Sequence, residues 1–136
     1  MAESLAEPGQ PTLFLGSDAV QSAFDWAEAI AALRAAYGGS VDTAMFPPRS
    51  MARGKGLWLR TLTGIAPDGG LMGAKMIAAN IRNRRASYLI PLFDQESVEL
   101  RALLDGNAIT GFRTAATTAL ALDALCAPGP IRLGLM

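Results

Sequence analysis

The sequence predicts an α+β fold in which helices accompany an antiparallel β-meander. Apolar residues recur at helical spacing from Ala23 to Tyr37. Short apolar runs separated by turn residues then occupy residues 41–104, and the connections between them are too short for parallel crossovers. An alanine- and leucine-rich segment follows at residues 111–125. A helix, a run of strands and another helix, in that order, are typical of the α+β class.

The front of the chain predicts a leader, a short strand and the first long helix. Residues 1–11 are polar, with two prolines and a glycine, and indicate a flexible leader. TLFLGSDAV predicts a short strand that continues into a helix capped by Ser17 or Asp18. Gly38 and Gly39 end the helical pattern, as glycine commonly does just after a helix.

The middle of the chain predicts five strands that pair antiparallel with their neighbours. Asp68-Gly69-Gly70 has the composition of a hairpin turn between the second and the third. The predicted strands cover residues 41–46, 56–65, 71–78, 86–93 and 98–104.

The last part of the chain predicts a helix and the start of another strand. Thr110 is a suitable N-cap, and Ala-Pro-Gly-Pro after Cys126 ends the helix. IRLGLM then begins as an apolar strand and stops without a turn or a cap. Such an ending is unusual for a finished domain.

Residue usage excludes several classes of function. The 136 residues suit one domain, and 12 basic residues balance 12 acidic ones. The absence of histidine excludes a Ser-His-Asp or Cys-His pair and the commonest metal ligand. Cys126 alone forms neither an internal disulfide nor a four-ligand zinc site. No secretory signal and no run of about 18 apolar residues is present, so we expect a soluble cytoplasmic protein without metal or membrane contact.

Charge is nevertheless segregated along the chain. Residues 1–42 hold six acids and one base, whereas residues 49–85 hold eight bases and one acid. The basic segment is open to three interpretations, namely a solvated face, an anion-binding pocket or a nucleic-acid surface. Its bases alternate with apolar strand residues and are not interleaved with stacking aromatics, which disfavours nucleic-acid binding.

Two bases lie where a cation is unfavourable. Arg113 is predicted in the first turn of the last helix, where unpaired N–H groups and the helix dipole repel a cation. A carboxylate such as Asp105 or Glu99, exposure to water, or an anion site shared with the N–H groups of residues 111–113 would each explain it. Lys75 interrupts an otherwise apolar strand and needs a counter-charge, a ligand or a path to water.

Several motifs follow one another in a distinctive order. PPRSMAR contains Arg49, GAKMIAAN contains Lys75 and Asn80, and LFD-x-x-S comes next. LLDGNAITGFRTAATTALA, with Arg113, is the longest and most specific. This order resembles the ornithine cyclodeaminase/mu-crystallin family, and the resemblance covers residues 12–136.

The resemblance implies a substrate-binding and dimerisation domain at residues 12–109. Residues 110–136 would then be a linking helix and the first strand of a truncated Rossmann domain. Arg49 and Arg113 would hold the carboxylate of an amino-acid or imino-acid substrate. Lys75 would contact the reacting end and transfer a proton, because nearby like charge disfavours its ammonium form.

The resemblance also implies NAD or NADP as the cofactor of a complete relative. Such a relative would be an ornithine cyclodeaminase, an alanine dehydrogenase or a ketimine reductase that moves a hydride at the substrate α-carbon. Asn80 and Thr114 are implied as cofactor contacts. The G-x-G-x-x-G turn is expected after Met136, so we expect this chain alone to bind no NADH and to be inactive.

The family resemblance further implies a homodimer. A non-catalytic dimerisation module is the alternative, since a strand meander with an exposed edge invites pairing with a second copy. The sequence also departs from the family pattern at two places. The strand after Arg49 lacks a Met-Pro pair, which affects the pocket wall near residues 59–62, and Val98 replaces a glycine. Because valine resists positive φ, we expect a different turn there.

Overall fold

A computed structural model describes residue 9 and residues 11–127, 129–130 and 132–134. One mixed six-stranded sheet and three α-helices form this described part, which confirms the α+β class. The strands are β1 (Leu13–Leu15), β2 (Ser50–Gly54), β3 (Leu57–Ile65), β4 (Leu71–Asn80), β5 (Arg85–Asp94) and β6 (Leu100–Asp105). The helices are α1 (Ser17–Ser22), α2 (Trp26–Gly38) and α3 (Asn107–Leu125).

The sheet has the strand order β1-β6-β5-β4-β3-β2. Strands β2 to β6 form an antiparallel meander, in which β3 to β6 correspond to four of the five predicted strands. Strand β1 is the short strand predicted at the front of the chain, and it adds to the edge of the meander in parallel, with Leu13 opposite Ala102. The chain between β1 and β6 includes two helices and four strands, which is long enough for a parallel connection.

The predicted strand at residues 41–46 is wrong. Thr43–Met45 forms a single 3-10 turn, and the Asp42 carboxylate accepts a hydrogen bond of 2.9 Å from the N–H of Ala44. This side-chain bond offers the backbone a local alternative to strand pairing. Pro47 and Pro48 follow, and strand pairing resumes at Ser50.

Strand β2 is therefore an addition to the predicted meander. Its hairpin with β3 has only two turn residues, Lys55 and Gly56, with φ of 50° and 79°. Two positive φ values are the signature of a type I′ turn, whose twist suits a hairpin. The turn escaped prediction because lysine is not a typical residue at the first of these positions.

The first two helices have caps that differ from those predicted. Gly16 is the N-cap of α1, so Ser17 and Asp18 lie within the helix, and the predicted capping role is wrong for both. Asp25 caps α2, because its carboxylate accepts a hydrogen bond of 2.8 Å from the N–H three residues later. Helix α2 thus begins three residues after the predicted start at Ala23 and ends, as predicted, at the glycine pair.

Helix α3 begins earlier than predicted. Gly106 is its N-cap, and the Asp105 carboxylate accepts a hydrogen bond of 2.7 Å from the N–H of the first helical residue. Thr110 is therefore wrong as the N-cap, and Arg113 lies in the second turn, not the first. Because the N–H groups of residues 111–113 belong to the helical ladder, they cannot form the predicted anion site.

The turn after β5 keeps a positive φ in spite of its valine. Val98 has φ of 61°, so the expectation of a different conformation is wrong. Asp94 fixes the turn, since its carboxylate accepts hydrogen bonds of 2.9 Å from the N–H groups of Glu96 and Ser97. The Val98 N–H also donates to the Asp94 carbonyl over 3.1 Å. This network holds valine in a conformation that it rarely adopts.

Two predictions concern the ends of the chain. Of the predicted final strand, residues 131, 135 and 136 lie outside the described part, and residues 132–134 have no regular secondary structure. Residues 1–8 and 10 of the predicted leader also lie outside it.

The helices cover one face of the sheet beside β1, β5 and β6. The buried apolar side chains lie here and are Val20, Ile77, Ala102, Ala116 and Leu120. Successive side chains of a strand point to opposite faces of the sheet. We call the face covered by the helices the helix face and the opposite one the open face. The helix face includes Trp58, Arg60, Lys75, Ile77 and Tyr88. The open face includes Leu57, Leu59, Met76, Ala78 and Leu89.

Candidate functional site

Lys75 lies near the middle of β4 and points at the start of α3. Its Nζ donates a hydrogen bond of 2.8 Å to Thr110 Oγ1, and that hydroxyl donates in turn to the Gly106 carbonyl over 2.8 Å. The Nζ also lies 4.9 Å from the centre of the Tyr88 ring. The first turn of α3 and a neighbouring strand therefore fix the position of the lysine head group.

Arg113 follows Thr110 by three residues on α3, so the two side chains share one side of the helix. Thr110 contacts Lys75 directly, and the charge of Arg113 lowers the pKa of that lysine. The structure thus brings together two of the three bases predicted to bind substrate. They come from different elements, α3 and β4.

Arg60 is a third cation at this place and was not predicted. It pairs with Ile77 across β3 and β4, which makes Lys75 its diagonal neighbour on the helix face. Its guanidinium lies 5.1 Å from the centre of the Trp58 ring, and its Nε is buried without a hydrogen-bond partner within the described residues. The alternation of LWLRTLTGI could have indicated it, because Arg60 and Leu62 share a face and Leu62 pairs with Lys75.

The three cations, which we call the basic cluster, affect the protonation of Lys75. Burial is the largest cause that lowers the pKa of Lys75, followed by the charge of Arg113 and then that of Arg60. All three causes act in the same direction. A lysine in this setting gives up its proton more readily than an exposed one, which suits a proton donor or acceptor.

The carboxylates considered as partners of Arg113 are engaged elsewhere. Glu99 lies 4.0 Å from Arg101, and Asp105 accepts hydrogen bonds from the backbone and side chain of Asn107. In the described residues, no member of the basic cluster forms an ion pair. Lys75 and Arg60 are half-buried, whereas Arg113 is exposed, so contact with water accounts for the Arg113 guanidinium. Two half-buried cations without counter-ions, next to an exposed guanidinium, are an arrangement expected of an anion site.

Arg49 is not part of the basic cluster, but strand pairing places it two strands away from Lys75. It immediately precedes β2, where Ser50 pairs with Thr61. Continuing the register places Arg49 beside Leu62, the partner of Lys75 on the other side. Two strand spacings amount to roughly 10 Å. The Arg49 side chain is exposed, and a substrate or a side-chain rotation would be needed to join it to Lys75.

The two predicted cofactor contacts are not brought together. Asn80 ends β4, where its side-chain oxygen accepts a hydrogen bond of 3.2 Å from the N–H of Asn83 in the hairpin turn. Alternation places it on the open face, opposite to Lys75. Thr114 donates to the carbonyl of Thr110 over 2.7 Å within α3. These residues therefore do not form a common nucleotide-binding surface in the described part of the chain.

A cavity adjoins the basic cluster at Arg60. It has a volume of about 530 Å³ and also borders Met51, Arg53 and Trp58, on the edge formed by β2 and β3. Among the residues that the structure describes, no group of acidic or cysteine side chains could hold a metal ion. None of the described helices has the length and apolar character needed to cross a membrane.

Comparisons with known proteins identify the fold. No protein-family model matches the chain, and no curated protein sequence does. Among solved structures, a probable ornithine cyclodeaminase from Bordetella pertussis Tohama I matches with a TM-score of 0.75 and 27% identity. The match covers 87% of this chain and 38% of the Bordetella protein.

Two further structures share the fold. An archaeal alanine dehydrogenase dimer with bound NAD matches with a TM-score of 0.73 and 23% identity, over 85% of this chain and 38% of its own. The Δ1-pyrroline-2-carboxylate reductase of Thermococcus litoralis, solved with NADH and L-proline, matches with a TM-score of 0.73 and 20% identity over the same shares. The resemblance to part of the ornithine cyclodeaminase family is thereby confirmed, and the chain spans 38% of the length of these structures.

Proposed function

We propose that this chain, whose fold is that of part of the ornithine cyclodeaminase family, is the N-terminal substrate-binding and dimerisation portion of an NAD(P)-dependent enzyme. The enzyme would act in the cytoplasm at the α-carbon of an amino or imino acid, by deaminating cyclisation, dehydrogenation or ketimine reduction. The observation that supports this most is the position of Lys75, which donates a hydrogen bond to Thr110, three residues before Arg113, and forms no ion pair with a carboxylate in the described residues.

The chemistry of the cluster assigns the roles. Arg113 would hold the substrate carboxylate, since a guanidinium is a fixed fork of N–H donors that matches two carboxylate oxygens. Arg49 would approach the same carboxylate from the β2 edge. Lys75 would exchange a proton at the nitrogen of the substrate, with Thr110 holding its Nζ in place.

The cofactor would supply the hydride when bound, and we propose that its site lies outside the described residues. Asn80 and Thr114 lie apart and use their side chains within their own elements. We therefore assign the nucleotide to a segment outside this chain. Calorimetry of the 136-residue protein with NADH should show no binding, and a micromolar dissociation constant would contradict this assignment.

Calorimetry with amino acids and their amides tests the substrate site. L-Alanine and L-alaninamide differ at the carboxylate, so the acid should bind at least about tenfold more tightly, the equivalent of about 1.4 kcal/mol. Arg113→Gln should remove most of the difference. Arg82→Gln is the matched control, because Arg82 lies in the exposed β4–β5 turn, and it should retain the difference. Equal affinities for acid and amide would refute the site.

The open face supports the proposed homodimer. Leu57, Leu59 and Leu89 are 52%, 46% and 43% exposed, and a depression of about 550 Å³ lies beside Leu57 and Leu59. A row of half-exposed leucines on a sheet face indicates a surface that another molecule covers. We propose that a second copy covers it, with no need for nucleic acid. A dimer that binds no amino acid would favour the alternative of a non-catalytic dimerisation module.

A further inference from the structure

The two hairpin turns at one end of the sheet carry cations and no acid. They join β2 to β3 and β4 to β5, and they are in contact, because the Ile81 N–H donates to the Gly56 carbonyl over 3.0 Å. Asp68, the one acid of residues 49–85, lies in the turn at the opposite end. The exposed cations in and beside the two turns are Arg53, Lys55, Arg82 and Arg84. None of them forms an ion pair within the described residues, so positive potential is concentrated on this end of the sheet.

Two of these cations have a backbone conformation that glycine and asparagine adopt more readily. Lys55 and Arg84 both have φ of 50°, each in its own turn. Positive φ is costly for a residue with a long side chain, and strained residues are concentrated at functional sites. A binding role for the two charges would account for their presence at these positions.

The cavity of about 530 Å³ lies beside the β2–β3 turn and contains an aromatic ring. It borders Arg53, Lys55 and Arg60 as well as Trp58, which is only half-buried. Trp58 pairs with Arg53 across β2 and β3, so both side chains lie on the helix face. The Arg53 Nε donates to the Met51 sulfur over 2.8 Å, which holds its guanidinium along β2. The cavity therefore combines three cations with a tryptophan ring.

We propose that this cavity and the two turns bind single-stranded nucleic acid, with the cations at phosphates and Trp58 at a base. Proteins that bind single strands without sequence preference combine a positively charged groove with aromatic side chains on which bases stack. The sequence disfavoured nucleic acid because no aromatic residue accompanied the bases. Strand pairing supplies one, since Trp58 lies opposite Arg53 and 5.1 Å from the Arg60 guanidinium.

The ring distinguishes nucleic acid from other anions. A partner that carries charge alone, such as polyphosphate, would use the cations and leave Trp58 without a role. The inference does not rest on the proposed function, because none of these residues is assigned to the amino-acid substrate.

Fluorescence titration of the intact chain with oligothymidylate of about 12 nucleotides tests the site. The protein has two tryptophans, so Trp26→Phe leaves Trp58 as the only one. We expect oligothymidylate to quench the Trp58 emission, whereas tripolyphosphate should compete for the cations without quenching. With about four phosphate contacts, the affinity should fall roughly 50-fold between about 50 mM and about 200 mM salt.

Lys55→Asn separates binding from folding. Asparagine suits the φ of this turn, so the variant should remain folded while the slope of log affinity against log salt decreases by about 0.7. Trp58→Leu should lower the affinity at least about fivefold. Arg132→Gln is the matched control, because Arg132 is exposed beyond the end of α3, and it should retain both the affinity and the slope.

Three outcomes would overturn the inference. They are no binding of oligothymidylate at low salt, binding that leaves the Trp58 emission unchanged, and the same loss of affinity in Lys55→Asn and Arg132→Gln. Quenching in the protein that keeps Trp58 decides the matter even if Trp58→Leu does not fold. None of these outcomes affects the amino-acid site at Arg113, which the titrations with L-alanine and L-alaninamide test separately.

Discussion

Lys75 is the residue on which the proposed chemistry depends. Its head group is positioned by Thr110 and Tyr88, and burial and two guanidiniums lower its pKa. At a pH where Lys75 begins to lose its proton, a lysine on the surface still carries a full charge. The sequence indicated that Lys75 was in an unfavourable place, because it interrupts an apolar strand, but it could not indicate which charges surround it.

The titration of Lys75 can be followed directly. In protein labelled with ¹³C-lysine, the Cε signal of Lys75 should titrate at a pH below the ordinary lysine value of about 10.4. Arg113→Gln should move this titration back towards the ordinary value, because it removes a like charge. Titration of Lys75 at the ordinary lysine value in the wild type would contradict the proposed setting.

The lowered pKa of Lys75 makes the free energy of unfolding depend on pH. Between the folded-state pKa of Lys75 and the ordinary lysine value of about 10.4, the unfolded chain binds more protons than the folded one. The free energy of unfolding should therefore gain from Lys75 as the pH rises through this window. Urea unfolding of wild type and Lys75→Met at several pH values measures it, since the variant lacks the gain.

Val98 is strained, and its replacement is expected to relieve the strain. A β-branched residue at φ of 61° costs about 1–3 kcal/mol, of which the greater flexibility of glycine offsets a part. Val98→Gly should therefore raise the free energy of unfolding by about 1 kcal/mol in urea titrations. Val41→Gly is the control, because Val41 is similarly exposed at 49% but has no positive φ. An equal loss of stability in both variants would argue against strain at Val98.

At the scale of elements, strands with strong apolar patterns were predicted well and their ends were not. Strands β3, β4 and β5 lie within two residues of their predicted bounds, because apolar runs and glycine turns delimit them. Where the predicted elements were wrong, side-chain hydrogen bonds had favoured a different local structure. Asp42 formed a local turn in place of a strand, and Asp105 helped to start α3 before Thr110. Such bonds depend on local geometry that residue patterns do not specify.

The type I′ turn between β2 and β3 gives a prediction for this hairpin. Asparagine adopts positive φ more readily than lysine, so Lys55→Asn should stabilise the protein by about 0.5 kcal/mol. Lys55→Gln has an amide but no such preference and should bring little gain. Thermal unfolding of the two variants makes the comparison. If the asparagine variant is the less stable of the two, the turn is not of this type.

At the scale of the whole molecule, the open face of the sheet is the feature that a monomer does not explain. Leu59→Glu should convert the proposed dimer to a monomer in sedimentation equilibrium, because a charge would be buried between the copies. Leu125→Glu is the matched control, since Leu125 lies at the end of α3 and is 85% exposed. A wild-type monomer, or a dimer unaffected by Leu59→Glu, would contradict the proposed interface.

The order of the motifs pointed to residues that are distant from one another in the sequence. Two of the substrate-binding residues predicted from it, Lys75 and Arg113, meet in the structure although 37 positions separate them in the sequence. Arg60 was missed because it belongs to no motif and joins the site only through strand pairing. Contacts of this kind are set by register, which a single sequence specifies only weakly.

The central claim is that the basic cluster binds the carboxylate of an amino or imino acid. The ¹³C signal of Lys75 during titration with L-alanine tests it most directly, because the charges of Arg113 and Arg60 both act on this lysine. We predict a saturable shift at Lys75, no shift at Lys55, and a much weaker response to L-alaninamide. An unchanged Lys75 signal at saturating L-alanine, or equal shifts at both lysines, would contradict the claim.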